Sequence, residues 1–325
     1  MNTIQTRKTE KRKRKSQARE IWHRMRKNKL AMIGLAILIV FLLLAIFADV
    51  IVDYDTDALG RGQDRLAGPS AEHWFGTDYL GRDVFARIVY GTRVSLALGL
   101  GITVIALSIG GFLGAAAAYY GGIIESVIMR IADMLMCIPS ILLTLAIIAA
   151  LGTSLQNLVI AATIASVPAF TRIIRSYVFT VIGEEYIEAA RAGGMNDFQI
   201  ITSHILPNVI GPIVVEATMN VAGTILSIAG LSFLGMGVQP PAASLGNMLN
   251  SAQSMTVLTK QPWLWLPPGL LIVILVVAIN FVGDALRDAL DPSAVMTIRK
   301  AGTAVPGDGK EDGKDSHAEK GEGAV

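Results

Sequence analysis

A bilayer-spanning helix needs roughly 20 apolar residues in succession, and this chain carries several such windows separated by polar, charged or turn-forming stretches. They run about Leu30 to Val52, Ser95 to Ala118, Ile131 to Leu151, Leu155 to Phe170, Val209 to Leu234 and Leu264 to Val282. Lipid offers a backbone amide no hydrogen-bond partner, so segments of this kind are helical. The expected fold class is therefore all-α, a polytopic membrane protein with six transmembrane helices. The composition, 52% apolar against 17% charged, excludes an ordinary soluble domain. The lone Cys137 excludes a disulfide framework and a cysteine-ligated metal centre, both of which need several cysteines.

The net charge of +2 conceals an asymmetry, because 12 of the 28 Lys and Arg residues precede residue 30. In a soluble chain Lys11-Arg12-Lys13-Arg14-Lys15 would suggest a nucleic-acid patch, but here a span follows directly, and such charges are retained on the cytoplasmic side. Membrane lipid, and no nucleic acid, is the expected partner of this end. The first window is too long for a signal-peptide core and ends in Asp49, Asp53 and Asp55 without a small-residue cleavage site, so it reads as a retained span. Ile21, Trp22 and Met25 share one side of a helix opposite Arg19, Arg24 and Arg26, the pattern of an interfacial helix.

The resulting organisation is a cytoplasmic basic tail with interfacial helix (1–29), a first span (30–52), an external loop (53–93), a core of five spans (94–292) and a disordered cytoplasmic tail (293–325). Acidic residues and turn signals at Gly60, Gly62, Gly68 and Pro69 mark the loop. Almost nothing apolar remains from Ala301 onward to offset the entropy of ordering. An even number of spans puts both termini on one side. Arg130, Arg172, Arg175, Arg191, Arg287, Arg299 and Lys300 then fall at the cytoplasmic face, in agreement with the N-terminal charge.

Small residues crowd the spans: Gly99, Gly101, Gly110, Gly111, Gly114, Ala161, Ala162, Ala165, Gly223 and Gly230. They read as close helix contacts rather than as the lining of a substrate path. Pro139, Pro168, Pro207, Pro212, Pro267 and Pro268 are expected at or near span ends. Asp133 follows Arg130 by one turn, and an ion pair between them is preferred to a gate role or to a protease dyad with Asp284. Glu216 and Asn220, also one turn apart, read as facing the bundle or a partner chain rather than binding cargo. All four histidines, His23, His73, His204 and His317, lie outside the windows, and no HExxH motif is present. Gly230-Leu231-Ser232 lacks the strand-to-helix turn of a nucleophile elbow. No catalytic residue, cofactor site or metal ligand is expected, and six spans with Asp133 or Glu216 as an ion site fit a self-contained secondary transporter or channel.

The segment from Gly183 to Pro207, GEEYIEAARAGGMNDFQIITSHILP, is too ordered for a linker. Glu184 and Glu185 suit a helix N-terminus, Ile187 and Ala190 share a face, and Gly193-Gly194 permits a turn at positive φ. Asn196 with Gln199 has the capping-box spacing and opens a second short helix carrying Phe198, Ile201 and Ile205. Two short helices broken by a double glycine form a knuckle whose apolar side needs cover. Its own spans and a partner's groove satisfy that need equally well.

Glu188-Ala189-Ala190, Gly194 and Leu206-Pro207 resemble the EAA motif of permease subunits of bacterial ABC importers, with His204 in place of the usual Ile, as in the peptide-importer branch. The resemblance spans roughly Trp22 to Pro292. It includes Phe75-Gly76-Thr77-Asp78, Gly81-Arg82-Asp83-Val84, the Tyr90 to Leu96 run, Phe233 to Pro241 and Gly283 to Pro292. Leu245-Gly246 stands where family members often have Trp-Gly. The chain is thus similar to the second permease of dipeptide, oligopeptide and nickel importers, with a type I importer fold. That resemblance implies a non-enzymatic subunit of the bacterial cytoplasmic (inner) membrane. Its implied partners are a second homologous permease, two ATPase subunits and an extracytoplasmic peptide-binding protein. Glu188, Ala189, Ala190, Gly194, Asp197, His204, Leu206 and Pro207 would form the ATPase-coupling set, and Arg130, Asp133, Glu216 and Asn220 the candidate gate or intramembrane polar residues. ATP and Mg would be bound by the partners, since the chain has no G-x-x-x-x-G-K-[ST] loop.

The expected topology is checked by Asp64→Cys and Gly309→Cys, each in a Cys137→Ser background. A membrane-impermeant thiol reagent applied outside should label the first and not the second; the reverse pattern would refute the assignment.

Overall fold

The computed structural model describes residue 19 and residues 21–55 and 64–290. The basic run Lys11–Lys15, the loop residues Gly60 and Gly62, and the tail beyond residue 290 that was read as disordered lie outside the described residues. Residues 21–27 are helical, with Trp22 47% exposed and Met25 half-buried.

The membrane helices start where local chemistry releases them. Helix α1 (Lys29–Ile46) is capped by Asn28, whose side chain accepts from the amides of Leu30 and Ala31 at 3.1 and 3.2 Å. A short α2 (Ala48–Ile51) follows. Helix α3 (Val84–Tyr120) is capped by Asp83, which accepts from the Ala86 amide at 2.8 Å. Next come α4 (Gly122–Met136), α5 (Ser140–Leu151), α6 (Leu155–Ile182), α7 (Glu185–Ala192) and α8 (Asp197–Ile200). After a π turn at Ile201–Ile205 the chain continues as α9 (Leu206–Phe233), α10 (Leu245–Leu249), α11 (Met255–Lys260) and α12 (Leu266–Leu290). Among the described residues no β-strand forms; Thr77 and Asp83 make an isolated bridge.

Among the described residues five helical stretches are long and apolar enough to cross a bilayer: Lys29–Ile46, Val84–Tyr120, Leu155–Ile182, Asp197–Phe233 and Pro262–Leu290. The third sequence window is not a straight span. It straddles α4 and α5, which meet at 88° and make a sixth crossing only as a broken pair. At about 1.5 Å per residue, neither half of 15 or 12 residues reaches across a core of about 30 Å. Pro139 explains the break, since it lacks an amide hydrogen and disfavours helical backbone at Ile138 before it.

Helix α3 also begins inside the stretch read as external loop. Its 37 residues span about 55 Å, well beyond a hydrocarbon core of about 30 Å. Arg87 and Arg93 end the apolar window there without ending the helix. Tyr90 donates to Asp49 at 2.9 Å and Arg93 pairs with the same carboxylate at 3.0 Å, fastening α2 to α3. Pro168 and Pro212 lie inside α6 and α9 rather than near their ends.

The most extensive helix contact joins α3 to α6. A Cβ on Gly110 would come within 2.7 Å of Phe170 Cβ and 2.8 Å of the Val167 carbonyl, and one on Gly114 would overlap the Thr171 carbonyl. These glycines, with Gly99 against Ile225, are packing positions as read from the sequence. Gly101 and Gly223 are not, because a Cβ on either meets nothing within 4 Å. Helix α12 packs between α9 and α1, where Gly34 lets the chain approach the Ala278 carbonyl.

This difference sets a stability test. Gly114→Ala forces an overlap with backbone and is expected to lose about 1–3 kcal/mol, read as a lower thermal midpoint in detergent. Gly223→Ala is expected to leave the midpoint unchanged or raise it, because a helix favours Ala over Gly. Equal losses would overturn the packing assignment.

Candidate functional site

The knuckle is built on one helix and the beginning of a second, longer one, not on two short helices. Helix α7 carries Glu185 and Glu188 in its first turn, where the exposed amides favour negative charge. Gly193 keeps φ −74°, so only Gly194, at φ +82°, needs the left-handed freedom of glycine. Asn196 and Gln199 form the expected capping box, each side chain bonded to the other's amide at 2.9 and 3.1 Å.

From Asp197 the helix then runs without interruption into the membrane span. The π turn at Ile201–Ile205 adds a residue to one turn. As a result Ile200, Ile205 and Val209, spaced five and four apart, share the buried face, at no more than 3% exposure. Of the sequence-derived trio only Ile205 is fully buried, and Phe198 is 74% exposed.

The chain itself covers the apolar side of the knuckle. Ile187, Ile200 and Ile205 pack with Phe170, Ile174 and Val178 of α6, and Ala190 joins from the edge. Two polar clasps hold the rim. At one end Tyr119 donates to Asp197 at 2.6 Å while the Arg191 guanidinium lies 5.3 Å over the Tyr119 ring. At the other end Asn208 donates to the Tyr186 hydroxyl at 3.2 Å, and the Tyr186 ring meets His204 at 6.2 Å between centroids. Partial burial, followed by the charge of Glu184, raises the Tyr186 phenol pKa above its ordinary value. Glu188, Ala189, Gly194, Leu206 and Pro207 face outward. No hydrogen bond or ion pair among the described residues holds Glu188. Tyr119, Tyr186 and Asn208 had no signal in the sequence, since their partners are distant in the chain or inside the knuckle.

Asp133 pairs with Arg172 of α6, not with Arg130. A second pair, Arg175 with Glu125 at 2.7 Å from Nε, joins the same helices eight residues earlier on α4. The antiparallel course of α4 beside α6 brings these four charges together, whereas Arg130 and Asp133 compete poorly across one turn of a single helix. An Asp133 carboxylate held by a guanidinium is not half of a proton-sharing dyad with Asp284. Glu216 and Asn220 part company as well. Asn220 accepts from Thr103 at 3.5 Å and Thr224 at 3.1 Å, while Glu216 is half-buried on the adjacent turn.

Asn220 also borders a cavity of about 230 Å³ lined by Ser140, Thr144, Ser166, Gly223 and Ser227, among others, with no charged side chain. Thr144 donates to the Ser140 carbonyl and Ser166 to the Ala162 carbonyl, both at 2.8 Å, so these hydroxyls are satisfied within their own helices. Gly223, read as a helix contact, faces open space here, and Ala165 lines the same cavity, whereas Ala162 is buried in the neighbouring apolar cluster as well as bordering it.

A second cavity, of about 210 Å³, lies at the N-terminal end of α3, beneath the loop containing Gly76 and Gly81 at φ +70° and +74°. Asp78 organises that loop. Its Oδ1 accepts from the Leu80 and Arg82 amides at 2.8 and 3.0 Å and its Oδ2 from Arg82 Nε at 2.6 Å. Arg87, 4% exposed, comes no closer than 3.8 Å to that carboxylate, and its Nη1 is buried without a hydrogen bond. The sequence showed the surrounding motif but assigned Arg87 no role.

Residues 88–295 match the family described as binding-protein-dependent transport system inner membrane component, and residues 16–69 match the N-terminal TM domain of oligopeptide transport permease C. The dipeptide transport system permease protein DppC of Alkalihalophilus pseudofirmus is 48% identical over 84% of this chain and 89% of its own length. The glutathione transport system permease protein GsiD of Pectobacterium atrosepticum is 42% identical over 84% and 90%. A chain of the MetNI methionine ABC transporter in an inward-facing conformation shares the fold, with a TM-score of 0.52 at 24% identity over 64% of this chain and 97% of that one.

The ion-pair assignment is open to a double-mutant cycle. Asp133→Ala and Arg172→Ala should each lower assembly, with a coupling of about 0.2–1 kcal/mol for so exposed a pair. The same cycle between Asp133 and Arg130 should show none; the opposite ranking would restore the intrahelical pair.

Proposed function

Because this chain belongs to the binding-protein-dependent transport system inner membrane component family of ABC importer permeases, we propose that it forms one half of the translocation pathway of an ATP-driven importer of small peptides. In this reading a second permease completes the pathway, two ATPases dock on the knuckle, and a binding protein delivers cargo at the opposite end of the bundle. Both termini and the knuckle face the cytoplasm. The partners bind and hydrolyse ATP, and this chain performs no chemistry.

The observation that carries the proposal is the way the knuckle is held. It is fastened underneath and at both rims by its own chain, yet it presents Glu188, Ala189 and the bare ring of Phe198 outward. A piece so supported moves as a rigid body. Its second helix runs from Asp197 to Phe233, so a push at Phe198 is carried along one helix toward Asn220, about 33 Å away. Closure of the ATPases would thus re-aim the cavity wall, which is alternating access. The uncharged lining of that cavity suits cargo whose side chains vary.

The names of the relatives favour dipeptides first and glutathione, itself a peptide, second. Loading the cognate binding protein with each and measuring stimulated hydrolysis distinguishes them.

The coupling role is tested by Gly194→Val. At φ +82° a β-branched residue is strained, and no neighbour lies within 4 Å of the new Cβ, so the distortion stays local. Insertion and permease pairing should persist while co-purified ATPase or peptide-stimulated turnover falls at least about tenfold, an effect of about 1.4 kcal/mol. Unchanged recruitment and coupling would remove the knuckle from the mechanism.

A further inference from the structure

The cavity at the N-terminal end of α3 holds an unbalanced charge. Of the two buried guanidiniums there, Arg82 takes the Asp78 carboxylate in a direct hydrogen bond, and two main-chain amides occupy the other oxygen of that carboxylate. Asp83 is occupied by the Ala86 amide and by His73, 2.7 Å from its Nδ1. Arg87 is left with one loose approach at 3.8 Å and a buried, unbonded Nη1. A buried cation without a bonded counter-charge is costly, and an entering anion would relieve that cost.

The lining also offers free acceptors, beside further donors such as the Tyr79 hydroxyl and the second Asn250 amide hydrogen. The amide nitrogen of Gln239 is committed to the carbonyls of Gly235 and Gly237 at 2.9 and 3.0 Å, and that of Asn250 to the Phe233 carbonyl at 2.6 Å. Their side-chain oxygens carry no hydrogen bond. Tyr79 and Asn250, both exposed, form part of the rim. A guanidinium donor beside amide acceptors matches a carboxylate with an N–H on the adjacent carbon, the end group of a peptide. The site lies about 48 Å along α3 from Tyr119, which clasps the knuckle at the opposite end of the bundle.

We infer that this cavity is a receiving site for the C-terminal carboxylate of a peptide, held by Arg87, separate from the uncharged cavity beside Asn220. The inference rests on the peptide-importer reading for the side on which cargo arrives.

The primary test needs no variant. The purified complex of permeases and ATPases, without binding protein, is titrated with N-acetylalanine and with N-acetylalaninamide while its thermal midpoint is followed. A saturable rise with the first and none with the second is expected. No rise, equal rises, or the same rise with chloride or inorganic phosphate would overturn the peptide-carboxylate site. In the Arg87→Gln complex the response should vanish, and in Arg87→Lys part of it should remain.

With one loaded binding protein, the uptake ratio of a free dipeptide to its C-terminal amide should fall at least about tenfold in Arg87→Gln. If that variant instead weakens docking of the unloaded binding protein and leaves the ratio unchanged, the carboxylate belongs to the protein partner and the inference fails. Loss of peptide-stimulated hydrolysis in the unaltered complex would sink the importer reading. Intact stimulation with a flat titration sinks only this site.

Discussion

The contact between α3 and α6 at Gly110 and Gly114 is the constraint on which much of the remaining structure depends. In lipid no hydrophobic drive brings helices together, so two backbones approach only where side chains are missing. With the Thr171 carbonyl seated against Gly114 and Phe170 against Gly110, the rotation of α6 about its axis is set. That rotation turns Arg172 and Arg175 toward α4 and its acidic partners, and turns Phe170, Ile174 and Val178 toward the knuckle. The ion pairs that hold the broken third crossing and the platform beneath the knuckle are thus two consequences of one close approach.

The length of α3 distributes function to two ends. At about 55 Å it exceeds the hydrocarbon by several turns. One overhang carries Arg87 into a polar cavity, and the other carries Tyr119 to Asp197. Neither arrangement would survive in lipid, where Arg87 without a bonded partner and the Tyr119 hydroxyl would each be expensive. The overhangs supply aqueous or protein-covered surroundings while the middle of the helix serves packing.

The motifs and their chemistry were legible in the chain. The capping box at Asn196 and Gln199, the positive φ at Gly194, and the shared face of Ile187 and Ala190 all depend on residues a few positions apart, where local geometry dominates. The misreadings share a different origin. Phe198 was grouped with Ile201 and Ile205 because an unbroken 3.6-residue period was assumed, and the π turn shifts that period by one residue, so Phe198 is exposed while Ile201 packs at the edge of the buried cluster. Asp133 was paired with Arg130 because adjacency on one helix is visible in a sequence, whereas proximity between two antiparallel helices is not. Gly223 and Ala165 were counted as packing residues because a small side chain looks the same whether it meets a neighbour or an empty cavity.

What the sequence alone determined is the class of structure and its covalent punctuation: spans of apolar residues that must be helical because lipid satisfies no backbone group, caps and turns fixed by Asn, Gly and Pro, and a charge bias toward one end. Tertiary structure decided which faces meet. It matched Asp133 to Arg172, clasped the knuckle through Tyr119 and Tyr186, and left Arg87 buried without a bonded partner. Each of these depends on groups far apart in the chain that are brought together by helix rotation and crossing angle, quantities set by packing over many residues at once. A local pattern carries no record of them, because the same residues on a helix turned by a quarter would meet other neighbours.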